Sequence, residues 1–297
     1  MKKIRFITDS TCDLPPNLVE KHRIGVVPVY VNYHNQTFAD DGKELIREKY
    51  YDELPSIRPH PTSAAMSTGL AEEYILKADQ EADHVIVITL PSSLSGVYNA
   101  MRLALQKLPP ERYTLIDAGN TSMGLGWQVA LAAEVAERTG DVEQVIGTLK
   151  RLRENVHVYC VLDTLEYLRR SGRVGWAAAN VGALLQIKPV IHVSNGEVKN
   201  VGRVRTFKRA LQELADRVRQ HAPIDRLAIL HANNASGAHE FAAMIQDITP
   251  PHSPTIFITP AIGTNIGPGG VGAAVVSQAW RNESDHAIGN GNTGQNS

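Results

Sequence analysis

Four hydroxyl-rich segments of this chain stand where an anion could be held. They are Thr8-Asp9-Ser10-Thr11, Pro61-Thr62-Ser63, Pro91-Ser92-Ser93-Leu94-Ser95-Gly96 and Asp117-Ala118-Gly119-Asn120-Thr121-Ser122. Three of them follow apolar, strand-like runs, and the one at 61–63 precedes a helical pattern. The first backbone N–H groups of a helix have no internal partner and its dipole favours negative charge, so hydroxyls gathered there make a neutral anion site. One such loop alone reads more readily as an ordinary helix cap. Four in one sheet point to a ligand.

Other chemistries fit less well. No Walker A lysine and no G-x-G-x-x-G follows the first strand-like run. The glycines of Gly263-Thr264-Asn265-Ile266-Gly267-Pro268-Gly269-Gly270 fall near the end of the chain, and Pro268 removes one amide donor. Ser95 occupies a strand–turn–helix junction, yet Ser93-Leu94-Ser95-Gly96-Val97 lacks both glycines that flank a G-x-S-x-G nucleophile. A serine hydrolase using Ser95 stays open as the alternative, and a pure interaction protein is a third reading. The eleven histidines form no HxxxH or HxH pair, so no metal site is expected. Asp9 and Asp117, both at strand ends, read as acceptors that order their loops rather than as an acid/base pair.

The elements that must position these loops follow from the apolar pattern. Runs at 4–8, 25–33, 84–90 and 112–117 alternate with helical patterns at 69–79, 96–108 and 123–138. That alternation predicts a parallel, doubly wound sheet, whose ligands bind beyond the carboxyl ends of its strands. Asp141 is placed to cap a further helix to about residue 154. The second half changes character. Asp163 and Glu166 have capping-box spacing, Gly172 can end that short helix, and 175–187 is apolar all round, as a buried helix is. Asn195-Gly196 between two alternating runs predicts a hairpin, so the second sheet is at least partly antiparallel. Thr206 can cap a helix with one apolar stripe from Phe207 to Val218, and strands at 226–231 and 255–259 flank a helix near 238–247. The expected organisation is an N-terminal α/β lobe over 1–155, a C-terminal mixed α/β lobe over 156–280, and a polar, disordered tail over 281–297.

Composition agrees with a globular protein of 297 residues, 43% hydrophobic and 21% charged. No apolar run reaches the ~18 residues of a membrane span, and only two cysteines occur, Cys12 and Cys160, outside any ligand-spaced pattern. A cytoplasmic, reduced setting is expected. The net charge of −1 argues against general nucleic-acid binding. Between Thr164 and Ala210, however, nine Lys or Arg face two Glu, a local excess of +7. This cluster, with Arg170, Arg173, Arg203 and Arg205, suits an anionic partner.

Read together, ITDSTCDLP near the start, PTS at 61–63, SSLSGVYNA at 92–100, DTLEYLRRSGRV at 163–174, IKPVI at 187–191, RVRTFKRA at 203–210 and GPGGVG at 267–272 resemble the DegV family. The resemblance runs in order across nearly the whole chain. It implies a bacterial, non-enzymatic protein with two lobes enclosing a long-chain fatty acid such as palmitate, with no cofactor. In some members the carboxylate is presented to a separate ATP-dependent fatty acid kinase subunit. By the same resemblance, Thr62 and Ser95 match the hydroxyls that bind the carboxylate, and Asn265 stands where the family usually has a histidine. Asparagine donates a hydrogen bond but cannot titrate near neutral pH. The head group is therefore expected among uncharged donors, with the arginines outside them, and the helix at 175–187 is expected to wall an acyl tunnel.

Overall fold

The computed structural model describes residues 2–179 and 187–281. Strands β1 (Ile4–Asp9), β2 (Gly25–Val27), β6 (His84–Thr89) and β7 (Tyr113–Asp117) form a parallel sheet in the order β2-β1-β6-β7. Every residue of β6 is buried, as in a strand covered on both faces, which is why it reads as a nearly continuous apolar run. Helices α1 (Pro16–Lys21), α3 (Thr68–Gln80) and α4 (Val97–Ala104) make the crossovers. The Ser67 hydroxyl caps α3 by accepting from Leu70 N at 3.1 Å.

The run at 25–33 is not one strand. Pro28, which lacks an amide donor, separates β2 from β3 (Tyr30–Tyr33). β3 instead pairs with β4 (Gln36–Ala39) and β5 (Thr62–Ala64) in a small antiparallel sheet of order β4-β3-β5. Helix α2 (Arg47–Glu53) lies between β4 and β5 in the chain.

A six-stranded mixed sheet follows α6 (Val142–Asn155), which the Asp141 carboxylate caps. Its strands are β8 (Val156–Val161), β9 (Lys188–Ser194), β10 (Glu197–Val204), β11 (Ile224–His231), β12 (Thr255–Phe257) and β13 (Val271–Ser277), ordered β10-β9-β8-β13-β11-β12. Only β11 and β12 pair in parallel. Asn195 and Gly196 join β9 to β10 with φ of +51° and +77°, the backbone that a tight hairpin turn requires. One face of this sheet is covered by α9 (Phe207–Arg219), capped by Thr206, and α10 (Ala235–Met244). The expected combination of a parallel N-terminal sheet and a mixed C-terminal one is what the chain forms.

Between the two sheets runs α5 (Met123–Thr139), buried at every residue from 123 to 133. It touches β1 and β6 on one side and β8 and β13 on the other. A Cβ at Gly126 would stand 2.5 Å from the Cys12 carbonyl oxygen, so the helix lies closer to its neighbour than any side chain permits.

Three short helices, α7 (Glu166–Ser171), α8 (Gly175–Ala179) and α11 (Pro260–Ile266), complete the second half. The capping box at Asp163 and Glu166 does not form. Thr164 Oγ1 accepts from Glu166 N at 3.2 Å, while Asp163 binds the Lys188 ammonium. Of the apolar helix expected over 175–187, α8 is the described part; 180–186 lie outside the described residues, as does the tail from 282 onward.

Replacing glycine by alanine inside a helix ordinarily stabilises by up to about 1 kcal/mol. Gly126→Ala is expected to do the reverse and lose about 1 to 3 kcal/mol, because the added methyl meets fixed backbone. Urea unfolding checks this, and a gain in stability would contradict the close packing of α5.

Candidate functional site

In the order β2-β1-β6-β7 the connections leave β1 and β6 in opposite directions, which opens a crevice at their carboxyl ends. Thr11 follows β1 and Leu90, Leu94 and Ser95 follow β6, and all four line a cavity of about 330 Å³. Its far side comes from the second sheet through Ile191, Val193 and Val198, and from α7 and α11 through Leu168, Ile262 and Ile266. A further 60 Å³, almost entirely apolar in lining, continues past Thr121, Ile191 and Ile262 to Cys160 and Leu230. The space is thus an apolar trough between the sheets, within the ~300 to 1,000 Å³ of small-molecule sites.

One group of its polar side chains is bonded together at the α11 side. Asn265 Nδ2 donates to Ser63 Oγ at 3.4 Å and to Ala261 O at 2.8 Å. Arg173 donates from Nη1 to Asn265 Oδ1 at 3.0 Å and from Nη2 to Ser63 Oγ at 3.2 Å. Its remaining bonds go to the Leu94 and Ser171 carbonyls, at 3.2 and 3.0 Å. Every one of these acceptors is uncharged, so the guanidinium meets no counter-ion among the described residues. Partial withdrawal from water lowers its pKa from the usual guanidinium value, a direction that leaves arginine cationic at neutral pH. Ser95 Oγ accepts from Val97 N at 3.3 Å, which leaves its own proton free to donate. Among the described residues no histidine lines the 330 Å³ cavity, His231 borders only its apolar extension, and no base bonds Ser95.

The structure therefore brings together Ser95 and Asn265 from the expected set and adds Ser63. Thr62 lies outside the lining: it is exposed at the start of β5 and pairs with Asn32 of β3, whereas Ser63, Ala64 and Ala65, which follow it, line the cavity. Arg173 is not outside the donors but among them. Arg170 bonds Glu166 at 2.7 Å, and Arg203 and Arg205 are exposed at the end of β10. Of the hydroxyl-rich loops, Thr11 and Thr121 do reach the cavity. The inward turn of Arg173 was not legible from charge spacing. The one local signal was Gly172, whose left-handed backbone ends α7 and redirects the next residue.

Asn265 is set in place from the first half of the chain. Asp40 Oδ2 accepts from Ala261 N at 2.7 Å and from the Thr259 hydroxyl. Asp13 accepts from Thr259 N at 2.8 Å and from Ser122 Oγ at 2.6 Å. Arg47 donates to Phe257 O and lies 3.7 Å from Asp13. Both carboxylates are nearly solvent-free, at 5% exposure for Asp13 and 2% for Asp40. Burial pushes Asp13 up to about 7, against the opposing pull of Arg47 and Ser122. Burial also raises Asp40, against its bonds to Thr259 and Ala261.

Among the described residues, no helix is long and apolar enough to cross a membrane, and no three His, Cys, Asp or Glu are grouped to hold a metal ion. A family model described as "Uncharacterised protein, DegV family" matches residues 3–278. The chain is 32% identical over 278 residues to a DegV domain-containing protein of Deinococcus radiodurans, spanning 92% of this chain and 98% of that one. Its fold is similar to that of a DegV-family protein from Thermus thermophilus described as binding fatty acid. The TM-score is 0.85 at 30% identity, covering 93% of this chain and 99% of the other. A Thermotoga maritima protein described as revealing a fatty-acid-binding function matches with a TM-score of 0.82 at 26% identity, over 93% of this chain and 100% of its own.

The buried acid makes stability depend on pH in a defined sense. Asp13 titrates near 7 when folded and near 3.8 when unfolded, so its contribution is fully present below about 4 and is lost as pH rises through about 7. Asp13→Asn keeps an acceptor for Thr259 N and removes the titration. Relative to the parent, it is expected to gain on the order of 3 kcal/mol as pH is raised from about 4 to about 8. Urea unfolding across that range measures it, and a difference independent of pH would contradict the raised pKa.

Proposed function

The chain belongs to the DegV family, and on that footing we propose that it binds one long-chain fatty acid, such as palmitate, along the trough between its sheets. The carboxylate lies among Ser63, Ser95, Asn265 and Arg173, and the acyl chain runs past Ile191, Val193 and Ile262 toward Cys160. The observation that carries this is the Arg173 guanidinium, held at the polar end of an apolar cavity by uncharged acceptors alone. A carboxylate there supplies the missing counter-ion and accepts charge-assisted hydrogen bonds. The likeness to the Thermus and Thermotoga proteins, each described as binding fatty acid, supports the same reading. The hydroxyl of β5 in this scheme is Ser63, with the exposed Thr62 beside it.

Burial of the acyl chain contributes about 0.8 kcal/mol per methylene, so the tail dominates affinity and the polar end sets orientation. The role is that of a carrier in the cytoplasm, built from lobes at 1–155 and 156–280, with the bound acid as its only small-molecule partner. A further step in the same proposal is presentation of the carboxylate to a separate ATP-dependent kinase subunit. Its support is the basic surface of Arg170, Arg203 and Arg205, on the same half of the chain as α7 and β10, which help line the cavity. Asn265 cannot take up or release a proton near neutral pH, so Arg173 is the one charge among the described residues that lines the cavity.

Native mass spectrometry of gently purified protein is expected to show one fatty acid per chain. After delipidation, Arg173→Gln is expected to weaken palmitate binding roughly 10- to 100-fold, the loss of one or two hydrogen bonds to a charged group. Unchanged affinity would overturn the assignment of the head-group end. Reversing the charge of Arg203 and Arg205 is expected to abolish kinase-dependent phosphorylation and leave palmitate affinity as it was. Undiminished turnover would remove the partner surface.

A further inference from the structure

α11 is seven residues long, too short to hold itself in place without tertiary contacts. Its two faces do different things. Ala261, Ile262, Asn265 and Ile266 line the cavity. Gly263 and Thr264 turn the other way, toward α2. A Cβ at Gly263 would stand 2.1 Å from the Tyr51 hydroxyl oxygen, so the helix rests directly on that ring. At its start, Asp40 accepts from Ala261 N and from the Thr259 hydroxyl. Toward its end, Tyr50 Oη lies 2.6 Å from Thr264 Oγ1. Thr264 gives its own proton to Pro260 O at 2.8 Å, so Tyr50 must be the donor of that bond.

We propose that Asp40 and Tyr50 are positioning residues for carboxylate recognition: neither lines the cavity, and together they fix α11 so that Asn265 meets Arg173 and Ser63. This rests on the fatty-acid reading above. Thr264 immediately precedes Asn265, and the Asn265 amide spans only 3.0 Å to Arg173 and 3.4 Å to Ser63. A small slide or rotation of α11 breaks both directional contacts, whereas Ile262 and Ile266, which move with it, keep apolar contact with the trough because such packing is not directional. The clamp therefore governs the polar end of the site more strongly than the acyl trough.

The test compares palmitate with hexadecanol, which has the same chain and no carboxylate. Wild-type protein prefers the acid. Tyr50→Phe deletes one hydroxyl, and Asp40→Ala deletes both acceptor atoms at the start of α11. Each is expected to weaken palmitate about 5- to 20-fold, in line with hydrogen bonds made indirectly through a moved helix, while hexadecanol stays within about twofold. Asp40→Asn, which keeps an acceptor, restores most of the preference for the acid. Equal losses for both ligands mean general damage and overturn the proposal, as does wild-type palmitate affinity in Tyr50→Phe. If Asp40→Ala does not fold, Tyr50→Phe and Asp40→Asn decide alone. A wild-type protein with no preference for the acid sinks the head-group reading itself, an outcome distinct from failure of the clamp.

Discussion

The site depends on a chain crossing held by two buried carboxylates. After β12 the chain leaves the six-stranded sheet, lays α11 against α2 and β5 of the first half, and returns as β13. Asp13 and Asp40 hold the turn at Thr259, and Arg47 holds Phe257. Taking a carboxylate out of water is costly unless donors replace the lost hydration. Asp13 meets an amide, a hydroxyl and a nearby guanidinium, whereas one oxygen of Asp40 has no hydrogen-bond partner among the described residues. Burial raises both pKa values, a mark of the compromise. In exchange, a wall of the cavity built in the second half of the sequence is placed by the first.

The electrostatics of the trough follow a different rule from those of the clamp. Within the clamp each charge has a counter-charge or a dipole near it. At the polar end of the cavity, one guanidinium is held by two carbonyls, a hydroxyl and an amide oxygen. Such acceptors fix its direction without neutralising it, which is what a site for a single anion needs. With asparagine at 265, this end of the cavity keeps the same charge across the physiological range. In the proposed reading, recognition of an acid rests on geometry, on the register between Arg173, Asn265 and Ser63.

Much of the fold was legible in the sequence because its strongest determinants are local. Asp141 and Thr206 cap their helices, Asn195-Gly196 makes the hairpin, and the apolar stripe of α9 faces the core. The misses share a cause, since each depends on contacts distant in sequence. Pro28 splits one apolar run between two sheets, which periodicity alone merges. β4, β5 and α11 are short, and their conformation comes from long-range partners. On β5 the cavity lining begins at Ser63, one residue past the exposed Thr62, a boundary set by how the three-stranded sheet meets α11. Charge counting located a basic cluster but not its inward member. Arg169 and Arg170 are drawn to Glu166, and only Arg173, past the Gly172 turn, enters the site.

The central claim is that a carboxylate lies against Arg173 at the polar end of the trough. Carbon-13 NMR of palmitate labelled at its carboxyl carbon observes that group directly. The bound resonance is predicted to remain that of an ionised carboxylate through the pH range in which the free acid protonates, because Arg173 favours the charged form. In the Arg173→Gln protein it should regain ordinary titration. A bound resonance that titrates like free palmitate in the wild-type protein would contradict the account.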